Sequence, residues 1–175
     1  MEGFHSWDHA GLALAHAART PWLDGVFAAV TWFGSLAVLL PLALLLWWRW
    51  RGDRSAAFVA LALIGASALG HLVKLIAARP RPDMFPSLIA MPEDWSFPSA
   101  HSAQVTAFAL AWLLRPGAAP RRIEIAVLFA TVTAVFASRL YLQVHFPSDV
   151  VAGALLATLW VLLLRRLPAW RETTR

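Results

Sequence analysis

Cysteine is absent from this chain, which excludes disulfides and thiolate metal sites and leaves the redox compartment unmarked. Lysine is nearly absent as well: Lys74 stands alone against fourteen arginines. In a composition so biased towards guanidinium groups, a lone compact ammonium hints at a position that wants a point charge. No repeat, low-complexity tract or domain linker interrupts the 175 residues, so 1–175 reads as a single domain. At the N-terminus no basic segment leads into an apolar core, and no cleaved signal peptide is expected.

What the chain has in abundance is apolar. Hydrophobic residues make up 59% of it and the mean hydropathy is +0.61, well above an ordinary soluble domain. The net charge of +5 does not point to nucleic acid, because the basic residues lie between apolar runs rather than on one soluble face. Positive-inside sorting across a membrane accounts for them better.

Residues 1–20 mix Trp7, Leu12 and Leu14 with His5, Asp8, His9, His16 and Arg19, the pattern of an interfacial helix. His5 and His9 are one turn apart, but no third ligand stands at metal spacing, so the pair is read as solvated. Five apolar runs follow. The first, Trp22 to Trp48, would span roughly 40 Å as one helix, more than a hydrocarbon core. It is therefore expected to tilt, or to break near Gly34-Ser35, with Pro41 a second candidate kink. The others are 55–78, 101–114, 123–142 and 150–164. The expected architecture is an all-α, polytopic membrane helix bundle of five to six transmembrane helices plus the N-terminal interfacial helix. Arg49, Arg51 and Arg54, then Arg115, Arg121 and Arg122, then Arg165, Arg166, Arg171 and Arg175 fall on one side, which should be cytoplasmic. Lys74, Arg79, Arg81 and Arg139 break that bias, and they flank the two loops on the other side, 79–100 and 140–148.

Charges placed against the topology rule usually have a local role. The first of these loops runs about twenty residues with five prolines and the acids Asp83, Glu93 and Asp94, and loops of that length are commonly functional. The acids could in principle hold a metal but are read as solvated or facing headgroups. The loop ends in Trp95-Ser96-Phe97-Pro98-Ser99-Ala100-His101-Ser102. Ser99 is a good N-cap, and a helix start with free N–H groups is a natural seat for phosphate, beside His101. Three elements thus converge: Lys74 with Arg81-Pro82, then Pro98-Ser99-Ala100-His101, then Ser138-Arg139 with His145 and Asp149. Three fixed cations, two histidines, a carboxylate and a helix N-terminus suit a phosphoryl group in transfer.

In order and spacing, these elements resemble the signature of the type-2 phosphatidic acid phosphatase superfamily of membrane lipid phosphatases. The resemblance covers a motif-bearing core of residues 74–149, and it departs from the family at Ala100, where glycine is usual. It implies His145 as a nucleophile forming a phosphohistidine, Asp149 holding its tautomer, and His101 as acid and then base. Lys74, Arg81, Ser99, Arg139 and the Ala100 N–H would bind phosphate oxygens; Ser138 belongs to the motif and is read as shaping the site. Arg79 and His71 fall outside the matched positions and are read as structural. The resemblance further implies a lipid phosphate substrate drawn from among the membrane lipids, with undecaprenyl pyrophosphate favoured over phosphatidate or phosphatidylglycerophosphate. No cofactor and no metal is expected, since arginine and lysine supply the positive charge. The expected location is a bacterial cytoplasmic (inner) membrane, with the site facing the periplasm or outside. A phosphotransferase using the same histidine, and a transporter or scaffold with vestigial motifs, are the alternatives; the oligomeric state is not legible.

Overall fold

Each apolar run becomes helical, because a backbone surrounded by lipid or apolar side chains must satisfy its own hydrogen bonds. The computed structural model describes residues 2–49 and 53–170, with side chains from residue 6 onward. Arg51, Arg171, Arg175 and the His5 side chain, all used above, lie outside the described residues. The helices are α1 (Glu2–Ala17), α2 (Pro21–Val30), α3 (Leu36–Arg49), α4 (Arg54–Ala77), α5 (Ala100–Leu114), α6 (Arg122–Tyr141) and α7 (Pro147–Arg166). No strand occurs among the described residues.

The first apolar run breaks where glycine and serine interrupt it. A 3-10 turn, Thr31–Gly34, separates α2 from α3, and the two helices meet at 46°. Gly34 is needed there: a Cβ would stand 2.6 Å from Val135 Cγ1 and 3.2 Å from the His101 carbonyl oxygen. Ser35 then restarts the helix, its carbonyl accepting from Leu39 N–H at 2.9 Å. Pro41 lies inside α3 without ending it.

Helices α4, α6 and α7 are long and apolar enough to cross a bilayer, and α2 with α3 makes a fourth span if the bent pair is counted as one. At 15 residues, or about 22 Å, α5 is shorter than a hydrocarbon core. The expected five to six spans therefore exceed the three or four that length and composition support. Besides being short, α5 differs from the other helices in lying at the centre of the bundle. Residues 102–109 are buried without interruption, and α5 packs against α3, α4, α6 and α7. Lipid-facing residues lie instead on the outer helices, for example Leu72, Ile76, Phe129 and Leu159, all exposed.

Small residues let the helices approach. Gly153 of α7 lies so near the start of α5 that a Cβ would stand 2.5 Å from Ser99 O. Gly65 of α4 leaves room for the Trp160 ring, whose Nε1–H donates to Ala62 O at 3.1 Å. Two non-glycine residues take left-handed backbone, Ala78 (φ 43°) and Gln143 (φ 59°), at about 1–2 kcal/mol each. Both sit beside the motif segments: Ala78 ends α4 just after Lys74, and Gln143 precedes His145 by two residues.

Candidate active site

The three motifs meet at one end of the bundle around a cleft of about 330 Å³. Lys74 reaches it from the last turn of α4, Ala100 and His101 from the first turn of α5, and Arg139 from the last turn of α6. Arg81 comes from the long loop, and His145 from the short connection between α6 and α7. That connection is tight, with Leu142 N–H donating to Ser138 O at 2.9 Å and Val144 N–H to Arg139 O at 3.2 Å. The spacing between Arg139 and His145 is thereby set by backbone.

His145 is buried, and its two ring nitrogens face different partners. Nδ1 lies 3.4 Å from Asp149 Oδ2, and Nε2 lies 3.2 Å from Arg81 Nη1. A guanidinium nitrogen only donates, so Nε2 is the accepting nitrogen and Nδ1 carries the proton towards the carboxylate. Burial pushes the His145 pKa down, and the Arg139 and Arg81 charges add to that against the opposing pull of Asp149. Both influences favour the neutral imidazole, with Nε2 on the side of Arg81.

Asp149 is itself fully enclosed. Oδ2 accepts from the Ser96 hydroxyl and, at 2.9 Å, from Phe146 N–H; Oδ1 accepts from Arg79 Nη1 at 2.7 Å. Its backbone oxygen accepts from Ser99 N–H at 3.0 Å, joining the starts of α5 and α7.

The cations are held from behind. Arg139 donates through Nη1 to Thr31 Oγ1 at 2.6 Å, which ties it to the break between α2 and α3. Its Nε is buried with no hydrogen-bond partner, an N–H kept in reserve for an acceptor. Arg81 donates through Nη1 to Val144 O at 2.7 Å and through Nε to Asp94 O at 2.9 Å. Lys74 donates to Trp95 O and lies 3.1 Å from Asp94 Oδ2, while Arg81 Nη2 bonds Asp94 Oδ1. Asp94, read from the sequence as solvated or facing headgroups, is exposed and also bridges two of the cleft's cations. Ala100 and His101 open α5, so their backbone N–H groups have no intrahelical acceptor.

Ser99 is the N-cap of α5, its hydroxyl accepting from Ser102 N–H at 3.4 Å and Ser102 Oγ at 2.9 Å. It is buried and is not among the residues lining the cleft. Ser138 bonds its own helix through Val135 O at 2.6 Å, and His71 is exposed on α4. Among the described residues no cluster of His, Asp and Glu is arranged to hold a metal ion. Four residues at the site escaped the sequence: Ser96, Thr31, Asp8 and Arg79 as a partner of Asp149. Of these Arg79 had a visible signal, as one of the four basic residues that break the positive-inside bias.

A helical bundle with spans of membrane length and a cationic, histidine-bearing cleft at one end defines an integral membrane protein whose cleft has the charge to suit an anion. The chain belongs to the PAP2 superfamily, whose family model matches residues 55–173. It is 30% identical to the undecaprenyl-diphosphatase of Sulfolobus acidocaldarius over 79% of this chain and 67% of that protein. With phosphatidylglycerophosphatase B of Bacillus subtilis the identity is 28%, over 91% of this chain and 82% of the relative. The crystal structure of a transmembrane PAP2-type phosphatidylglycerolphosphate phosphatase from Bacillus subtilis superposes with a TM-score of 0.83 at 26% identity, covering 94% of this chain and 86% of that one.

Proposed function

We propose that this protein is a metal-independent membrane lipid phosphatase that works through a phosphohistidine at His145, with undecaprenyl pyrophosphate as the favoured substrate. The observation that carries the proposal is the His145 ring, held at Nδ1 by Asp149 with Nε2 at 3.2 Å from Arg81 Nη1, in a cleft shared with Lys74, Arg81 and Arg139. A phosphate monoester or diphosphate group entering there takes the place of the Asp94 carboxylate on Lys74 and Arg81. Its other oxygens face Arg139 Nε and the N–H groups that open α5. Nε2 attacks phosphorus as the bond to the leaving oxygen breaks, and Asp149 stabilises the positive charge that develops on the ring. His101, on the same wall and favoured in its protonated form by the bound anion, gives its proton to the leaving oxygen. It then takes a proton from the water that attacks the phosphohistidine, so inorganic phosphate leaves and both histidines return to their starting state.

Undecaprenyl pyrophosphate is favoured because one similar protein is an undecaprenyl-diphosphatase, and because a diphosphate expels a better leaving group than a glycerol alkoxide. The site faces the outside of the cytoplasmic membrane, the side opposite the arginine clusters. Phosphate release from a panel of lipid phosphates in EDTA tests activity and substrate together. Intermediate trapping tests the chemistry. His101→Ala mixed with a labelled aryl phosphate, which needs little acid assistance, should accumulate acid-labile, alkali-stable label on the protein. His145→Ala should take up none. Label retained by His145→Ala, or activity lost in EDTA and restored by magnesium, would overturn the proposal.

A further inference from the structure

Behind the cleft lies a second layer of charge that reaches back to the N-terminal helix. Asp8 of α1 is 1% exposed, rare burial for an acid remote from any reacting group. Its Oδ1 accepts from Ser148 N–H at 2.9 Å and its Oδ2 from Ser148 Oγ at 2.6 Å. The same Oδ2 accepts from Arg79 Nη2 at 2.6 Å. The other arm of Arg79, Nη1, donates to Asp149 Oδ1 and to Ser148 Oγ, both at 2.7 Å. The guanidinium carbon sits 4.0 Å from the Phe146 ring centre, so the plane of the fork is fixed by stacking.

We infer that Asp8 and Arg79 are positioning residues that act on His145 through Asp149. The carboxylate of Asp149 has two oxygens with separate duties: Oδ1 is taken by Arg79, which leaves Oδ2 for Ser96, Phe146 N–H and His145 Nδ1. With Arg79 in place the carboxylate cannot rotate about its Cβ–Cγ bond without losing a charged hydrogen bond. Asp8 completes the unit in two ways. It neutralises Arg79, which would otherwise draw the negative charge of Asp149 away from the histidine. Through Ser148 it also pins the first turn of α7, from which Asp149 projects. The chain of contacts therefore runs from α1 to the nucleophile without touching the cleft, since neither Asp8 nor Arg79 lines it.

This inference rests on the proposed role of His145, and the experiment keeps the two separable. The full-length protein in detergent or nanodiscs is compared as wild type, Arg79→Met, the pair Asp8→Asn/Arg79→Met, Asp149→Asn, and Asp149→Asn/Arg79→Met. Removing Arg79 alone leaves Asp8 buried without its counter-charge and should lower Tm; removing both charges should restore much of it. Activity should not follow Tm. Both Arg79 variants should lose roughly 10- to 100-fold in kcat, the scale of losing an outer partner of a catalytic group. KM and inhibition by inorganic phosphate should stay near wild type, because the cleft is intact. In the Asp149→Asn background, Arg79→Met should add nothing, as expected when two residues act as one unit. Recovery of kcat along with Tm in the pair, a change confined to KM, or a loss that multiplies with Asp149→Asn would each overturn the inference. His145→Ala is run alongside: if it turns over, the site proposal fails, whereas an inactive His145→Ala beside a fully active Arg79→Met overturns this inference alone.

Discussion

Around the first turn of α5 the bundle encloses Asp8, Lys74, Ser96, Arg139, His145 and Asp149, each held by named hydrogen bonds or ion pairs. Two turns further on, the same helix enters a core of Ala43, Phe58, Ala62, Leu63, Ala107, Ala111, Ala157 and Val161, where contact is almost wholly apolar. These halves do different work. Burying an ion pair gains little over packing apolar groups in the same volume, so the charged half contributes geometry more than stability. The apolar half, with lipid tails outside it as apolar as itself, is held by close fit between small and large side chains. Charge-conserving substitutions in the first half should register in turnover, and changes of packing in the second in Tm.

The largest effect should come from Arg139→Lys. The charge survives, but an ammonium cannot bond Thr31 and a phosphate oxygen at once from that position. A loss of about 100-fold in kcat/KM is expected, the scale of removing one preorganised donor, with Tm nearly unchanged. A comparable fall in Tm would dissolve the distinction between the halves.

Gly65→Val probes the other half. A Cβ there would stand 2.3–2.5 Å from atoms of the Trp160 ring, so the ring must move and its bond to Ala62 O is strained. Overpacking of this kind costs about 1–3 kcal/mol, read as a lower Tm. At temperatures where the variant stays folded, kcat/KM should match wild type; a loss of turnover there would show that the apolar half also sets the site.

The smallest effect is one of pH, on the long loop. Burial works against the charge of Asp94, but hydrogen bonds from Arg81 and Lys74 outweigh it and hold the carboxyl below the usual carboxylate range. A carboxylate with a lowered folded pKa contributes its full stabilisation above the unfolded value of about 4, and loses it as pH falls through the folded one. Exchange of the Ser96 amide, which donates to Arg79 O at 2.8 Å, should therefore be protected evenly at neutral pH and lose protection only below about pH 4. The rate is compared after correction for intrinsic exchange, and Asp94→Asn should abolish the step. A step that persists in Asp94→Asn would assign it to another group.

Much of this was legible in the residues. Gly34-Ser35 marked the break in the first apolar run because both residues interrupt it chemically, and the motif spacings brought Lys74, Arg81, Ala100, His101, Arg139 and His145 to one cleft. What stayed hidden depends on docking. Thr31 is one hydroxyl in an apolar run until α6 brings Arg139 to it. Asp8 looks like any acid on an amphipathic helix until α1 lies on the first turn of α7. Hydropathy also cannot tell a helix wrapped by protein from one wrapped by lipid, and α5, at 15 residues, is packed among other helices.

The contact at Gly153 carries a consequence for how the cleft responds to charge. With α7 resting on the cap of α5 and Ser99 N–H bonded to Asp149 O, the start of α5, which lines the cleft, and the start of α7 behind it cannot turn independently. Water around a transferring phosphoryl group must reorient its dipoles as charge moves from one oxygen to another. Peptide dipoles locked by a backbone contact are already oriented before the substrate arrives, and they have no freedom to follow. At this end the protein is a solvent that was frozen during folding, and the missing methyl group at position 153 is what lets it set so close.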